Sequence, residues 1–308
     1  MYLAFLITAI GLGKIYCSAE NFDPTLHNNW KYLPNDICGQ SNSLRIIGGK
    51  NASLGDYPWI ARIGYSKNNS TKVYFRCGGV LINANTVLTA SHCVENLAPG
   101  LRVSSIRLGE HYTLTDPDCE EGVCAEPHQD RKPSQIISHL NYNSPLYKND
   151  IAIIRFKEDF SFNSYVKPIC LIKGDMMTKD YTGSIGEVAG WGIYDNDKQL
   201  ESDILLKIKM EIIDTERCAK VFRKYAEIGE TQMCVGGVEG EDSCSGDSGG
   251  PLMKVDDAPP RYYLLGIVSF GTKKCGTKDM PGVYTRLTEY MPWVLDNLVT
   301  NTRDFKIV

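Results

Sequence analysis

The sequence has no excess of positive charge, no internal repeat and, beyond its first residues, no long apolar run. Its 33 Lys and Arg against 37 Asp and Glu give a formal net charge of -4. Such a chain offers no basic surface for a phosphate backbone or for anionic lipid. We therefore expect neither nucleic acid nor a membrane among its partners, and the missing repeats exclude a repeat architecture.

The only long apolar run opens the chain, over residues 1–13, and Lys14 interrupts it. A helix of that length is too short to cross a bilayer, which needs about 20 apolar residues. Ser18 and Ala19 then supply the small residues that a signal peptidase reads. We expect a signal peptide over residues 1–19. The alternative is an uncleaved membrane anchor, which the length disfavours.

Cysteine parity supports secretion. The chain has 11 cysteines, and loss of Cys17 with the signal peptide would leave an even set that can pair fully outside the cell. We therefore expect a secreted, extracellular protein. Spacing alone does not assign the pairs, and Cys119 with Cys124 could form a metal half-site or a disulfide. Secretion favours the disulfide.

Residues 20–45 are polar and rich in turn residues, and we interpret them as an extended pro-segment. From residue 46 to residue 308 short runs of β-favouring residues alternate with turns, which predicts one all-β domain. A C-terminal helix is predicted over residues 290–298, with Pro292 in its first turn. The runs predicted as strands are residues 59–63, 79–82, 87–89, 151–156, 204–208 and 264–268.

The most informative stretch surrounds Ser248, in Gly246-Asp-Ser-Gly-Gly-Pro251. A serine hydroxyl is a poor nucleophile, so it needs an adjacent base and donors for the oxyanion that it creates. Glycines on both sides let the backbone turn tightly and direct N–H groups at one point. Taken alone, Gly-x-Ser-x-Gly could equally be a plain turn.

Candidate partners for this serine lie elsewhere in the chain. His92 follows the apolar run Val87–Thr89, and Asp150 precedes the apolar run that begins at Ile151. A carboxylate beside such a run is costly unless it has a partner. An imidazole N–H is such a partner, and it would fix the tautomer in which His92 accepts the serine proton.

In this order and with these flanks, the three residues resemble the catalytic triad of the chymotrypsin and trypsin family of serine proteases. The resemblance covers residues 46 to about 298. It implies two six-stranded antiparallel β-barrels with the site between them. The matching motifs are Ile46-Ile-Gly-Gly, Thr89-Ala-Ser-His-Cys, Asp150-Ile-Ala, Gly190-Trp-Gly, Gly246-Asp-Ser-Gly-Gly-Pro and Gly282-Val-Tyr.

The resemblance implies a triad of His92, Asp150 and Ser248, with the N–H groups of Gly246 and Ser248 as the oxyanion hole. It also implies activation by cleavage after Arg45, because Ile-Ile-Gly-Gly follows directly. The freed amino group of Ile46 would then pair with Asp247 and order the oxyanion loop. The alternative is that Arg45 is only a basic linker residue.

The resemblance also assigns the substrate-binding positions Asp242, Ser243, Ser269, Gly271 and Gly282. A carboxylate at the base of a narrow slot favours Arg or Lys in the substrate, and small walls admit a long side chain. Two departures matter less: Phe270 stands where Trp is usual, and Pro281 replaces the Tyr of sodium-activated members. Sodium activation is therefore not expected.

The implied disulfides are Cys38–Cys170, Cys77–Cys93, Cys218–Cys234 and Cys244–Cys275, which leave Cys119 with Cys124. The first would tether the cleaved pro-segment to the body. The small loop that holds Cys119 and Cys124 is similar to that of arthropod clip-domain proteases. A clip domain needs six cysteines, whereas Cys38 is the only one between Ala19 and Arg45. We expect a clip-less relative.

In that group the same loop can hold a calcium ion. Catalysis needs no cofactor, and calcium would be structural. The side chains of Glu110 and Asp118 with the carbonyls of Tyr112 and Thr115 could provide hard oxygen ligands. The alternative is a solvated acidic loop held by its disulfide. Glycosylation is predicted for Asn51, Asn68 or Asn69, and crowding would allow only one of the last two.

The sequence therefore predicts a secreted, monomeric, trypsin-like endopeptidase zymogen that cleaves proteins after Arg or Lys. Its expected partners are protein substrates, an upstream activating protease and serpin-type inhibitors. A different class of function is a catalytically silent binding protein, but no triad residue is lost. The tethered pro-segment favours limited proteolysis in a cascade over digestion. A venom component is also open.

Overall fold

The computed structural model describes residues 22–42, 51–68, 70–257 and 260–299. The expected signal peptide, the expected cleavage point Arg45–Ile46 and Asn69 lie outside these residues. Within them, no helix is both long enough and apolar enough to span a membrane.

The regular structure of the described chain is mostly β-strand, in two seven-stranded sheets and two two-stranded ones. The strands are β1 (Ile60–Lys67), β2 (Tyr74–Asn83), β3 (Thr86–Thr89), β4 (Leu101–Leu108), β5 (Cys119–Glu120), β6 (Val123–Cys124), β7 (Gln129–Arg131), β8 (Gln135–Ser138), β9 (Ala152–Arg155), β10 (Cys170–Leu171), β11 (Ile185–Gly190), β12 (Ile193–Asp195), β13 (Leu200–Glu201), β14 (Leu206–Ile213), β15 (Gln232–Val235), β16 (Pro251–Asp257), β17 (Pro260–Phe270) and β18 (Gly282–Arg286). Each run predicted as a strand overlaps one of them, in β1, β2, β3, β9, β14 and β17.

The second sheet closes into a barrel, as the resemblance implied. Its strand order is β10-β17-β16-β11-β14-β15-β18, and β17 also pairs with β18. That last pairing joins six strands into a closed antiparallel barrel, while β10 lies outside it, parallel to β17. The all-β, trypsin-like prediction is confirmed for this half.

The first sheet is curled but has no closing ladder. Its order is β7-β4-β1-β2-β3-β9-β8, and no pairing joins β7 to β8 in the part of the chain that the structure describes. These edge strands are short, and Pro133 between them has no N–H to donate. The first barrel was expected to be closed and six-stranded. The structure instead has a curled, seven-stranded half-barrel there.

The sheets are stabilised by apolar side chains that their strands bury in a common core. Ile63, Leu81, Val87 and Ile153 are fully buried in the first sheet, and Trp59 packs where that sheet meets the barrel. Burying such a side chain contributes about 1.5–3 kcal/mol. The resulting core fixes the ends of β2, β3 and β9, where the candidate site lies.

Two α-helices accompany the sheets, α1 (Thr215–Phe222) and α2 (Leu287–Asp296). The sequence analysis missed α1, which is short and is started by Asp214, whose carboxylate accepts the Arg217 N–H at 2.8 Å. The C-terminal helix is confirmed but begins at Leu287, immediately after β18. Pro292 therefore lies inside it and not in its first turn.

The segment of residues 22–42 is folded against the body and is not extended as expected. It contains 3₁₀ turns at Pro24–Leu26 and Trp30–Tyr32. Arg261 donates to the carbonyls of Asn35, Asp36 and Cys38 at 2.8–3.1 Å. Further 3₁₀ turns occur at Ser91–Cys93 and Gly174–Met177.

Five disulfides join cysteines within the described residues. The pairs are Cys38–Cys170, Cys77–Cys93, Cys119–Cys124, Cys218–Cys234 and Cys244–Cys275. These are the pairs that the resemblance implied, and the alternative metal half-site at Cys119 and Cys124 is wrong. The first pair anchors the folded segment 22–42 beside β17.

Candidate active site

His92 and Asp150 are brought together by the pairing of β3 with β9. Thr89 at the end of β3 lies opposite Ala152 of β9, so the residues just beyond these strands meet at one edge of the sheet. His92 Nδ1 lies 2.8 Å from Asp150 Oδ2, and the His92 backbone N–H donates to Oδ1 at 2.9 Å. Both carboxylate oxygens therefore fix the same histidine.

Asp150 has two further partners that the sequence analysis did not identify. The Ser269 hydroxyl donates to Oδ2 at 2.5 Å, and the Thr285 hydroxyl donates to the Asp150 carbonyl at 2.8 Å. Burial alone would raise the pKa of Asp150, but hydrogen bonds from His92 and Ser269 hold that pKa below its ordinary value. The carboxylate is thus ionised and oriented.

Ser248 lies in the loop between β15 and β16, which makes hydrogen bonds to both large sheets. Its carbonyl accepts the N–H of Gly78 in β2 at 2.7 Å, while the next N–H, of Gly249, donates to Val268 in β17 at 2.9 Å. A Cβ at Gly249 would overlap Thr89 and come within 2.6 Å of the Gly78 carbonyl. Glycine at this position therefore allows the close approach of Ser248 to the first sheet.

The Cys77–Cys93 disulfide lies between Ser248 and His92. Cys93 Sγ is 3.6 Å from His92 Nε2 and 3.6 Å from the Ser248 carbonyl oxygen. No hydrogen bond joins the Ser248 hydroxyl to His92 among the described residues, and in free enzymes such bonds are often long until substrate binds. Cys77, His92 and Cys93 cluster closely, but the disulfide removes both thiolates as metal ligands.

The N–H groups of Gly246 and Ser248 have no acceptor among the described residues. Gly246 has φ of 105°, and a Cβ there would lie 2.7 Å from Gly192 Cα. Only glycine fits this conformation without strain. Two unoccupied donors in a loop next to a serine can stabilise a developing oxyanion.

Asp242 lies beside two glycines that face each other. A Cβ on Gly282 would be 3.2 Å from Asp242 Oδ1, and one on Gly271 would be 3.9 Å from Gly282 Cα. Asp242 Oδ2 accepts the Gly276 N–H at 3.1 Å, while Oδ1 is buried with no hydrogen-bond partner in the described structure. Burial raises the pKa of Asp242 to about 6.

The neighbourhood of Asp242 is closed by Ser243, whose hydroxyl is 2.8 Å from the Tyr284 hydroxyl. The Cys244–Cys275 disulfide links the segment that follows Asp242 to the segment that carries Gly276. A buried carboxylate oxygen that has no hydrogen-bond partner and lies beside two glycines is suited to a long cationic side chain.

Asp247 points away from the serine, into a space bounded by Gly190 and Gly192. Its carboxylate accepts the N–H groups of Gly192 and Cys244, both at 2.9 Å. A Cβ on either glycine would overlap this carboxylate. Burial raises the pKa of Asp247 to about 6, while the hydrogen bonds from Cys244 and Gly192 act in the opposite direction.

The residues proposed for calcium lie in one loop before β5. The Asp118 carboxylate accepts the N–H groups of His111 and Tyr112 and the Thr115 hydroxyl, at 2.5–2.9 Å. Glu110 Oε2 faces Arg107 at 3.1 Å. Its other oxygen, Oε1, is buried and has no donor among the described residues. An orphaned carboxylate oxygen fits a hard cation.

The two described sequons differ in their surroundings. Asn51 and Asn68 are both exposed. Asn51 forms an isolated bridge with Leu206, whereas Asn68 lies just after β1 in the turn that faces Gly100. Both side chains are accessible to solvent.

A family model and the sequences of known proteins identify the same family for this chain. The trypsin family model matches residues 46–294. CLIP domain-containing serine protease HP8 of Bombyx mori is 41% identical over 288 residues, which cover 91% of this chain and 77% of that protein. The Spaetzle-processing enzyme of Drosophila melanogaster is 39% identical, covering 86% of this chain and 69% of its own length.

A solved structure agrees with these relatives. The Drosophila Grass clip serine protease of the Toll pathway matches with a TM-score of 0.74 and 33% identity, covering 85% of this chain and 75% of that chain. The resemblance to clip-domain proteases is thereby confirmed. This chain belongs to the trypsin family of serine proteases.

Proposed function

We propose that the chain is a serine endopeptidase in which His92, Asp150 and Ser248 form the triad. The observation that carries this is the pair of hydrogen bonds that Asp150 accepts from the ring and the backbone N–H of His92. It leaves Nε2 of the same ring free to accept a proton, on the side where Ser248 lies. Trypsin-family proteases need no catalytic cofactor, and none enters the mechanism.

The steps follow from these positions. His92 Nε2 takes the proton of Ser248 while its oxygen attacks the substrate carbonyl, and the N–H groups of Gly246 and Ser248 hold the oxyanion. The imidazolium then protonates the leaving amine, whose bond to the carbonyl breaks. Water, deprotonated by His92, releases the acyl group and regenerates the serine. Asp150 keeps the ring oriented and stabilises its positive charge throughout.

Asp242 supports cleavage after Arg or Lys. Its unpartnered oxygen lies beside Gly282 and across from Gly271, so a long cationic side chain would meet a carboxylate at the end of the slot. Ser243 and Ser269 complete the proposed substrate-binding set. An apolar side chain would leave that carboxylate buried and unpaired, which is costly.

Activation by cleavage after Arg45 is part of the proposal. The freed ammonium of Ile46 would pair with Asp247, a buried carboxyl whose pKa is raised to about 6. Gly190 and Gly192 provide the space that this carboxylate needs. Pairing would fix Asp247 and, through the adjoining chain, the N–H groups of the oxyanion hole.

We further propose that residues 1–19 are a signal peptide, that residues 20–45 become a disulfide-tethered light chain, and that residues 46–308 are the secreted protease. Five disulfides support an oxidising, extracellular location. Glycosylation at Asn51 and at Asn68 or Asn69 is compatible with exposure of the first two.

The relatives suggest limited proteolysis in a cascade. One is named Spaetzle-processing enzyme, and a second, 37% identical over 287 residues, is named Melanization protease 1. It covers 89% of this chain and 71% of its own length. By analogy the partners are protein substrates, an activating protease and serpin-type inhibitors, and the enzyme is a monomer.

Calcium is proposed as a structural ion. Glu110 Oε1 and Asp118, with the carbonyls of Tyr112 and Thr115, would hold it and tie the ends of their loop together. Both guanidinium groups near Glu110 contact Oε2, so Oε1 remains for the cation. The alternative is an acidic loop held by Asp118 and the Cys119–Cys124 disulfide alone.

One experiment tests the enzyme and its activation together. The secreted chain is cut after Arg45, and hydrolysis of an arginyl amide is measured before and after the cut. We expect activity only after cleavage, and Ser248→Ala should lower kcat by about 10⁶-fold. Full activity of the uncut chain would contradict the zymogen proposal. Activity of the Ser248→Ala variant equal to wild type would contradict the triad.

A further inference from the structure

A cleft separate from the Asp242 slot lies between the start of β2 and Trp191. Its walls include residues 75–78 of β2, the loop at Gly246, and Glu201 of β13. None of the substrate-binding positions assigned above lines it. It therefore borders the proposed oxyanion hole without belonging to the slot for the cationic side chain.

Phe75, Trp191 and Arg62 lie together in the wall of this cleft, and Arg107 lies behind Phe75 outside it. The guanidinium carbon of Arg62 lies 4.8 Å from the centre of the Phe75 ring and 5.0 Å from that of Trp191. Arg107 lies 4.8 Å from the same Phe75 ring. Stacking of this kind holds a cation in a fixed position.

Arg76 supplies an accessible charge at the rim. It is exposed, lines the cleft, and forms no ion pair with an acidic residue among those described. The nearby acidic residues offset it incompletely: Glu201 is exposed, and Asp247 is occupied by the N–H groups of Gly192 and Cys244. Arg62 is offset by Glu110 Oε2 at 3.9 Å. In the activated enzyme of the proposed function, the Ile46 ammonium would neutralise Asp247, so that among the lining residues only the exposed Glu201 opposes Arg76.

The position of the cleft relative to the scissile bond follows from the nucleophile loop. Ser248 is bonded to Gly78 of β2, and Gly249 is bonded to Val268 of β17. The acyl side of the substrate would lie along residues 269–271, which continue from Val268. A peptide that crosses Ser248 from there leaves over Gly78, Cys77 and Arg76, and so enters the cleft with the residues that follow the cut.

We infer that this cleft binds an acidic side chain within the first three substrate residues after the cleaved bond, with Arg76 as the specificity-determining contact. This inference rests on the proposed function and narrows its substrate class. An exposed ion pair of this kind changes kcat/KM by about threefold to fivefold, and more where the rings shield it from water.

The test uses the chain activated by cleavage after Arg45 and a set of internally quenched peptides. All share one arginine at the cut and carry Asp, Asn or Lys at the first, second or third position after it. Only the product cut after the arginine is quantified, by its mass, because a Lys at these positions is itself a cleavage site. We expect kcat/KM for Asp to exceed that for Lys at one of these positions, by at least about threefold at low ionic strength. Arg76→Gln should remove the difference, and Arg76→Glu should invert it.

Two controls separate this inference from the proposed function. Arg102→Glu, at an exposed position of β4 outside the cleft, makes the same change of net charge and should keep the Asp preference. An arginyl amide with a small leaving group does not reach the cleft, so all three variants should hydrolyse it like wild type. Equal rates for Asp and Lys peptides in wild type, or an Asp preference retained by Arg76→Glu, would overturn the inference. Failure on the arginyl amide would overturn the proposed function and the inference with it.

Discussion

At the scale of single residues, the charge of Asp242 should control binding of basic substrates. Its pKa is raised to about 6 because the carboxyl is buried, so the ionised form is present above that pH and is lost as the pH falls through it. Binding of an amidinium inhibitor should therefore weaken about tenfold per pH unit below about 6. The inhibition constant of the activated enzyme, measured from about pH 4.5 to pH 8, checks this.

The matched variant is Asp242→Ser. It should bind the amidinium weakly and with no pH dependence in the same range. A pH dependence that remains in this variant would come from another group, such as Asp247, whose pKa is also raised to about 6. An inhibition constant that does not change with pH in wild type would contradict the assignment of Asp242 to the slot.

Single residues were predictable where a local motif surrounds them. Ser248 lies among glycines, and His92 and Asp150 each adjoin an apolar strand. The hydrogen bond from Ser269 to Asp150 was not predictable in this way, because it spans 119 positions of sequence. The assignment of Ser269 to substrate binding stays a prediction, and the structure adds a hydrogen bond from its hydroxyl to Asp150.

At the scale of elements, the loop from Glu110 to Asp118 should be stabilised by calcium. Binding of calcium to Glu110 Oε1 should raise the free energy of unfolding by about 1 kcal/mol at millimolar calcium. This corresponds to an increase in Tm of about 2–4 °C. Thermal unfolding with calcium and with a chelator measures this.

Two variants distinguish a specific role of Glu110 from the general negative charge of the loop. Glu110→Gln should abolish the calcium-dependent shift, and Glu121→Gln, at an exposed position in the same region, should preserve it. Identical Tm values with calcium and chelator in wild type would leave the acidic, disulfide-held loop as the correct alternative.

Strands were predictable because apolar residues alternate or cluster over short runs, and helices were less so. The helix α1 is only 8 residues long, so its pattern is too brief to separate from a loop. The start of α2 was misjudged because β18 ends at Arg286 and the helix follows with no intervening loop. Pro292 was therefore assigned to the first turn, although the helix had already begun.

At the scale of the whole molecule, the light-chain disulfide should contribute more than the loop disulfide. Cys38–Cys170 spans 132 positions, whereas Cys119–Cys124 spans 5. On the chain-entropy account, the longer link stabilises the uncut chain by about 5 kcal/mol and the shorter by about 2 kcal/mol. Urea unfolding of the paired Cys→Ser variants, in an uncut Ser248→Ala background, measures the difference.

The hydrogen bonds that hold residues 22–42 against the body can be tested separately from the disulfide. Arg261→Met removes its hydrogen bonds to the carbonyls of residues 35, 36 and 38 without touching the covalent link, and should cost about 1–3 kcal/mol. Equal losses for the two disulfide variants would contradict the entropic ranking.

The two-sheet architecture was predictable only through the family resemblance. Composition and strand spacing indicate an all-β domain, but closure of a barrel depends on which edge strands meet. The second sheet closes because β17 reaches β18, whereas the first ends at the short strands β7 and β8. The folding of residues 22–42 was also missed, because its partners lie on β17 and α2, more than 200 positions away.

The nucleophile loop has a consequence for the two halves of the molecule. Its adjacent residues Ser248 and Gly249 are hydrogen-bonded to β2 in the first sheet and to β17 in the barrel. The loop therefore links the two halves of the molecule. A reagent that acylates Ser248 and immobilises the loop should therefore reduce amide hydrogen exchange on both sides of the cleft. The Tm of the whole protein should then rise with the fraction of molecules in which Ser248 is acylated.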